Sequence, residues 1–141
     1  MTPNRPYAAA LERLRAASLR PTRQRLALAK LLFDGGDRHV TAEQVHGEAE
    51  DAGISVSLAT VYNTLHQFTR AGMMREVVVE AGRSYFDTNV SDHHHVFFES
   101  CGRLVDVPAA QVQIHGLPDL PAGTEVTRID VILRASSPNA K

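Results

Sequence analysis

The sequence predicts an α+β fold, with a helical N-terminal half and a small C-terminal half in which short strands accompany one helix. Apolar residues recur at helical spacing up to about residue 70, and short runs rich in Val, Phe and Tyr follow. The charge divides at a similar place, because residues 1–75 carry ten Lys or Arg against seven acids and residues 76–141 carry five against nine. We therefore predict two small domains, residues 1–87 and residues 88–141.

Two helices are predicted before residue 35. The first covers Tyr7 to Ser18 and ends ahead of Pro21, because the residue that precedes a proline avoids the helical conformation. Thr22 can cap the second helix through its hydroxyl group, and Gly35-Gly36 is expected to end it in the left-handed conformation. Residues 5–25 include six arginines and one acid, a balance that favours binding to a polyanion.

A pair of helices joined by a short turn is predicted next. Thr41 and Gln44 fit a capping box at the start of a helix that ends before Gly53. Ser57 precedes a further helix, which runs from Leu58 to about Arg70. This is the helix-turn-helix pattern, in which the second helix enters the major groove of DNA.

A β-hairpin is predicted directly after these helices. Arg75–Val79 and Ser84–Asp87 are β-prone runs on either side of a turn that contains glycine. A hairpin at this place is typical of the wing of a winged helix. The N-terminal domain is therefore predicted to be a winged helix-turn-helix.

The second helix of the pair carries residue types that bind DNA. Thr60 and Asn63 face outward if its apolar stripe faces inward, and Asn can form two hydrogen bonds with adenine. Tyr62 can contact a thymine methyl group or a phosphate, and Arg20 and Arg25 can contact phosphates or reach a minor groove. Double-stranded DNA is the predicted partner, and an ordinary amphipathic helix with a polar outer face is the alternative.

The C-terminal domain is predicted to contain three strands and one short helix. The strands are Val96–Phe98, Arg103–Val107 and Glu125–Arg134, and the helix is Ala109–His115. A domain of about fifty residues buries too little apolar surface to be more than marginally stable alone. We therefore expect a homodimer, an arrangement that also suits two DNA half-sites.

Three consecutive histidines, His93–His95, precede the first of these strands. Successive side chains of a strand point to opposite faces, so His93 and His95 are expected to share one face and His94 to occupy the other. Two imidazoles on one face can bind a single metal ion, and histidine also ligates haem iron. The alternative is a polar loop that happens to be rich in histidine.

Five stretches of the sequence match a known pattern: Arg20–Arg25, His39–Glu43, Ser57–Leu65, Tyr85–Asp87 and Cys101–Val107. Together they resemble the ferric uptake regulator family of bacterial metal-responsive repressors. The resemblance implies an N-terminal winged helix and a small C-terminal α/β dimerisation domain. It also implies that Arg20 approaches the minor groove, that Arg25 contacts a phosphate, and that Tyr62 and Asn63 lie on the major-groove side.

The same resemblance implies a regulatory site for a divalent metal ion between the two domains. Its ligands fall on His39, Asp87, His95 and Asp106. Two imidazoles and two carboxylates suit a divalent ion such as iron, manganese or zinc. A bound ion would hold the two domains in one arrangement and thereby change DNA affinity.

Departures from the family pattern point to one branch. Phe98 replaces the first cysteine of a Cys-x-x-Cys pair and leaves Cys101 alone, so no cysteine-based structural zinc is expected. The three-histidine run resembles the iron response regulators of alpha-proteobacteria, in which haem binds at the run. The resemblance therefore implies haem at His93, His94 and His95, and a haem-delivering protein as a further partner. Haem there would compete for His95 and weaken DNA binding.

The predicted function is a cytoplasmic, iron-responsive transcriptional regulator that senses haem through His93–His95, and the alternative is a repressor of the same family switched by a divalent metal ion. A metal-dependent enzyme has less support, because no obvious general base accompanies the cluster, so no enzymatic activity is predicted. An architectural DNA-binding protein with an incidental histidine run is the fourth hypothesis. The sequence shows no transmembrane run or signal-peptide core, and its single cysteine cannot form an internal disulfide.

Overall fold

The computed structural model describes residues 6–80 and 82–136, and the chain divides into two compact units, Met1–Val90 and Ser91–Lys141. Both helices and sheets are present, so the predicted mixed class is confirmed. Arg5, the first of the six clustered arginines, lies outside the described residues. None of the helices in the described ranges combines the length and apolar character that crossing a membrane requires.

The first unit consists of four helices and one antiparallel three-stranded sheet. Its strands lie in the order β1-β3-β2, and β2 and β3 form the predicted hairpin. The helices are α1 (Ala8–Ala16), α2 (Arg23–Phe33), α3 (Ala42–Asp51) and α4 (Leu58–Arg70), and the strands are β1 (His39–Val40), β2 (Arg75–Glu80) and β3 (Arg83–Asp87).

The starts of α2, α3 and α4 follow from hydroxyl caps. In each case the side-chain oxygen accepts a hydrogen bond from the backbone N–H three residues later, which satisfies one of the unpaired donors of the first turn. The caps are Thr22, Thr41 and Ser57, with bonds of 3.2, 3.1 and 3.1 Å. The predicted starts are therefore confirmed.

The ends of the helices follow two different rules. Gly53 and Gly72 come shortly after α3 and α4 and adopt φ angles of +75° and +82°, which a side chain with a Cβ disfavours. The predicted left-handed end of α2 is wrong. That helix ends at Phe33, the next residue Asp34 keeps a right-handed φ of −74°, and Gly35 is not among the glycines with a positive φ.

Apolar side chains of all four helices meet in the core of the first unit. Val61, Leu65 and Phe68 of α4 are fully buried, and the Phe68 ring lies 6.1 Å from the ring of Phe33 in α2. Burying one such side chain stabilises the fold by roughly 1.5–3 kcal/mol. The opposite face of α4 is left at the surface, and it carries Tyr62 and Asn63.

A short strand that the sequence pattern does not predict joins the hairpin. β1 contains only His39 and Val40, which pair with Asp87 and Phe86 of β3. Two residues are too few to show the alternation by which a strand is recognised in a sequence. This pairing places His39 directly opposite Asp87.

The second unit is built on a mixed three-stranded sheet in the order β5-β4-β6. Its strands are β4 (His93–Phe98), β5 (Arg103–Pro108) and β6 (Ile132–Ala135). β4 pairs antiparallel with β5 and parallel with β6. The central strand begins at His93, three residues before the predicted start, so the histidine run belongs to the strand.

Two predicted elements of the second unit are much shorter than expected. The predicted helix Ala109–His115 is a single 3-10 turn, Ala109–Gln111, because Val112 already has an extended conformation. So short an isolated segment gains too few hydrogen bonds to offset helix nucleation. Of the predicted strand Glu125–Arg134, only the end lies in a strand, β6, and residues 125–131 belong to no strand in the described part of the chain.

Candidate functional site

The histidine run lies in the central strand of the second unit, and all three rings are buried. The exposed fractions of His93, His94 and His95 are 6%, 9% and 3%. Strand alternation places His93 and His95 on one face, with ring centroids 4.6 Å apart. A solvated polar loop, the alternative interpretation of the run, does not describe this segment.

A carboxylate of the neighbouring strand faces both of these rings. Asp106 in β5 is the direct cross-strand partner of His95. Its Oδ1 atom lies 3.3 Å from Nε2 of His93 and 3.5 Å from Nε2 of His95. Each of the three residues therefore offers a ligand atom within 4.8 Å of the others, close enough to share one metal ion.

A hydrogen bond to the backbone determines which nitrogen atom of the His93 ring carries the proton. Nδ1 lies 2.6 Å from the backbone carbonyl oxygen of Ser91. A carbonyl oxygen only accepts, so Nδ1 donates and the neutral ring has its lone pair on Nε2. That lone pair and the Asp106 carboxylate face each other, and a cation or a proton between them removes their repulsion. Fixing the ring through Nδ1 in this way is typical of metal-binding histidines.

His94 belongs to a different set of contacts. Its Nδ1 accepts a hydrogen bond of 3.1 Å from the backbone N–H of Val131. The proton of the neutral ring is then on Nε2, so ligation of a metal through either nitrogen requires this bond to break or the ring to lose its proton. The three predicted haem ligands therefore do not form one group.

The first unit contains a second pair of potential ligands. Nε2 of His39 lies 3.3 Å from Oδ2 of Asp87, and the carboxylate is 1% exposed. The other oxygen of Asp87 accepts a hydrogen bond of 2.9 Å from the backbone N–H of Asn89. A carboxylate with such partners suits a divalent cation.

The predicted DNA-contacting residues of α4 lie at the surface, and two of them have internal partners. Asn63 is exposed, and Thr60 is half-buried with its Oγ1 accepting a hydrogen bond of 2.9 Å from the Ser57 hydroxyl. The Tyr62 hydroxyl donates to Oε2 of Glu43 at 2.9 Å. This bond is the main cause of a raised pKa of Tyr62.

The two predicted arginines differ. The Arg20 side chain is exposed, whereas the guanidinium group of Arg25 donates to the backbone oxygen of Arg20 at 2.8 Å. Nε and Nη2 of Arg25 also donate to the side-chain oxygen of Gln67 in α4, at 3.2 and 3.0 Å. Arg25 thus joins the start of α2 to α4.

Sequence reasoning missed two residues of these sites. Strand alternation had placed His93 beside His95 as a possible metal ligand, whereas the ligand set that the family resemblance implies contains only His95; Asp106 faces both rings. Glu43 and Gln67 were not singled out at all, although each binds a predicted DNA-contacting residue. Strand alternation predicts the partnership of His93, but the other two pairs join residues 19 and 42 positions apart, and no local pattern indicates them.

Comparisons with known proteins give one consistent result. The family model described as "Ferric uptake regulator family" matches residues 16–120. The chain is 37% identical over 97 residues to the peroxide operon regulator of Bacillus subtilis, a match that covers 69% of this chain and 66% of that protein. It is 33% identical over 99 residues to the peroxide-responsive repressor PerR of Staphylococcus aureus, and this match covers 70% of this chain and 66% of that protein. The matched region thus spans just under two thirds of these relatives.

Solved structures of similar fold agree with this result. The ferric uptake regulator of Pseudomonas aeruginosa with manganese has a TM-score of 0.71 and 25% identity, over 92% of this chain and 98% of that one. The Vibrio cholerae ferric uptake regulator has a TM-score of 0.70 and 25% identity, over 89% of this chain and 98% of that one.

Proposed function

Because this chain belongs to the ferric uptake regulator family, we propose that it is a DNA-binding transcriptional regulator whose affinity for its operator is controlled by a divalent metal ion. Members of this family are transcriptional regulators rather than enzymes, so the hypothesis of a metal-dependent enzyme is set aside. The observation that carries the proposal is the position of Asp106, whose Oδ1 faces Nε2 of both His93 and His95.

The metal ion would be held by the residues that the family resemblance implies. We propose His39, Asp87, His95 and Asp106 as ligands, with His93 as an additional donor from the face of β4 that carries His95. Imidazole and carboxylate together suit iron, manganese or zinc. One ion with ligands from both units would favour one of their arrangements, and this preference is how metal binding would control DNA binding.

The haem hypothesis has less support than this one. His94 is on the opposite face of β4 from His93 and His95, and its Nδ1 is engaged by Val131. The relatives described above are named for iron uptake and peroxide. The comparisons support the family and do not extend to the iron response regulator branch. Haem and a haem-delivering protein are therefore not part of the proposal.

DNA binding would use the first unit. The order α3, α4, hairpin is that of a winged helix, and α4 would enter the major groove with Thr60, Tyr62 and Asn63. Arg20 is exposed and suited to a phosphate or a minor groove. We place this activity in the cytoplasm, where a bacterial regulator meets its operator.

A homodimer would complete the arrangement. The second unit has few buried apolar residues and leaves several large ones exposed, which favours burial against a second copy. Two copies would present two α4 helices to two half-sites of an operator. The exposed residues are Ile114, Leu117, Leu120, Val126, Ile129 and Leu133.

A selection experiment tests this function without knowledge of the operator. The full chain, loaded with Mn²⁺ or freed of metal by a chelator, is incubated with a random library of duplex DNA, and the bound DNA is sequenced. We expect the loaded protein to enrich a sequence with two related half-sites. Equal enrichment by both forms would leave DNA binding intact but contradict metal control.

Peroxide response is a second candidate function. It is favoured by the identity of 37% and 33% to two regulators named for peroxide. Hydrogen peroxide added to the protein loaded with Fe²⁺ should then lower operator binding, whereas the Mn²⁺ form should be unaffected. Equal responses of the two forms would reject this candidate.

A further inference from the structure

Tyr62 is held at the surface by contacts with two residues of the first unit, one in α3 and one in its own helix α4. Its hydroxyl group donates to Glu43 of α3 at 2.9 Å. Its ring is stacked on His66 of α4, with centroids 6.4 Å apart and an interplanar angle of 19°. The His66 ring in turn forms a T-shaped pair with the ring of Phe86 in β3, with centroids 5.4 Å apart, and Phe86 is 1% exposed. The tyrosine ring is therefore fixed at both its hydroxyl end and its face.

The fixed ring remains available to a ligand, because Tyr62 is 36% exposed. An exposed tyrosine normally loses rotamer freedom when it binds, and this loss weakens binding. Here the contacts with Glu43 and His66 restrict the ring before any DNA arrives. Such preorganisation strengthens binding without a new contact to the ligand.

Glu43 places a carboxylate beside the proposed DNA-binding helix α4, where its negative charge would repel the phosphates of DNA. Its position there therefore needs a physical explanation. Glu43 lies in the first turn of α3, where its charge interacts favourably with the helix dipole. That role alone does not need a position beside Tyr62. The bond of 2.9 Å to the tyrosine hydroxyl supplies a second reason.

We propose that Glu43 is a positioning residue, which engages the Tyr62 hydroxyl group so that the ring itself contacts the bases of the operator. The inference rests on the proposed DNA-binding function and assigns a specificity role within it. With its hydroxyl donated to Glu43, Tyr62 offers apolar ring atoms, and the base feature that these match in the major groove is the methyl group of thymine. The pair Glu43–Tyr62 therefore favours operator sites with a thymine at this position.

The test uses the full chain loaded with Mn²⁺ and a duplex selected from a random library. Fluorescence anisotropy measures the affinity of the variants Glu43→Ala, Glu43→Gln, Tyr62→Phe and the double variant Glu43→Ala/Tyr62→Phe. We expect Glu43→Ala and Tyr62→Phe each to lower operator affinity about fivefold, because the released ring must then lose rotamer freedom when it binds DNA. The operator affinity of the double variant should also be about fivefold lower than that of the wild type, because both changes remove the same hydrogen bond.

Glu43→Gln separates the hydrogen bond from the charge. Its side-chain oxygen still accepts from Tyr62, so its operator affinity should stay within about twofold of the wild type. Glu12→Ala, which removes an exposed acid from α1, is the control for net charge. Thermal unfolding of each variant checks that the fold is retained.

A second readout distinguishes positioning from a structural role. Each thymine of the operator is replaced in turn by uracil, which lacks only the methyl group. Replacement at one position should lower the operator affinity of the wild type severalfold, and it should leave the operator affinity of Glu43→Ala unchanged. Three outcomes would overturn the inference. The affinity losses of the two single variants could multiply in the double variant, or Glu43→Gln could lower operator affinity as much as Glu43→Ala does. The wild type and Glu43→Ala could also lose the same affinity when thymine is replaced by uracil. A wild type that enriches no DNA would instead overturn the proposed function, and the inference with it.

Discussion

His93 and His95 lie on one face of β4 with ring centroids 4.6 Å apart, and each directs Nε2 toward the same oxygen of Asp106. Alternation along the strand produces the shared face, and the cross-strand register supplies the carboxylate. Three donors are thus brought together by backbone geometry alone, on a rigid element. Such an arrangement is the usual basis of a prepared metal site.

Removing the carboxylate should weaken metal binding. We predict that Asp106→Ala lowers the affinity for Mn²⁺ at least tenfold, because the two imidazoles lose the charge that complements the cation. Isothermal titration calorimetry on the metal-free protein measures this change. Asp119→Ala, which removes an exposed carboxylate from a loop of the same unit, is the matched control and should leave the affinity unchanged. Equal affinities of the two variants would show that Asp106 is not a ligand.

His94 should act on the C-terminal strand and not on the metal. His94→Leu removes the acceptor for the Val131 N–H and leaves a half-buried donor unpaired, at a cost of roughly 1–3 kcal/mol in unfolding free energy. His94→Asn keeps an acceptor close to the position of Nδ1 and should retain most of this stability.

Hydrogen exchange at residues 131–135, together with Mn²⁺ titration, tests the role of His94. Exchange should accelerate in His94→Leu more than in His94→Asn, while the Mn²⁺ affinity of both stays near that of the wild type. A loss of Mn²⁺ affinity in both variants as large as that of His95→Ala would instead make all three histidines ligands.

The two arginines near the start of α2 should differ in the salt dependence of DNA binding. Arg20→Ala removes an exposed cation, so the slope of log K against log salt should fall by about 0.9, the value of one phosphate contact. Arg25→Ala should leave the slope unchanged and lower the unfolding free energy by about 1 kcal/mol, because it removes hydrogen bonds to Gln67 and Arg20. A reduced slope for Arg25→Ala would identify Arg25 as the phosphate contact.

Glu48 should make stability depend on pH in the acid range. Arg38 donates two hydrogen bonds to its carboxylate, at 3.0 and 2.6 Å, and these lower its pKa below the ordinary value of 4.5. The folded state therefore binds this proton less readily than the unfolded state. The stabilisation is present above the ordinary pKa and is lost as pH falls through the lowered one.

Urea unfolding of the wild type and Glu48→Gln across this range measures the contribution of Glu48. The wild type should be the more stable protein at neutral pH, and the difference should shrink as pH falls below about 4. A difference that does not vary with pH would assign the stabilisation to packing.

The fold was predictable where local chemistry determines it. The caps Thr22, Thr41 and Ser57 are local signals, since each accepts from a backbone N–H three residues away, and the helices begin where these residues predict. The hairpin of β2 and β3 is equally local. The two-residue strand β1 is not, because its existence depends on pairing with Asp87, almost fifty residues away.

The second unit was harder to predict for the same reason. Residues 125–131 alternate like a strand, but alternation indicates which side chains share a face and not whether a partner strand exists. The histidine run shows the opposite case, because the shared face of His93 and His95 follows from strand period alone. The bond between His94 and Val131 spans 37 positions and had no signal in the sequence.

The most direct test of the account is the operator affinity of the full chain with and without Mn²⁺, for the wild type, His95→Ala and His115→Ala. His115 is an exposed histidine outside the cluster and serves as the control. We predict that Mn²⁺ strengthens binding of the wild type and of His115→Ala at least tenfold, a coupling of about 1.4 kcal/mol, and has no effect on His95→Ala. Operator affinity that is independent of Mn²⁺ in the wild type, or equally responsive in all three proteins, would contradict control by a metal at this site.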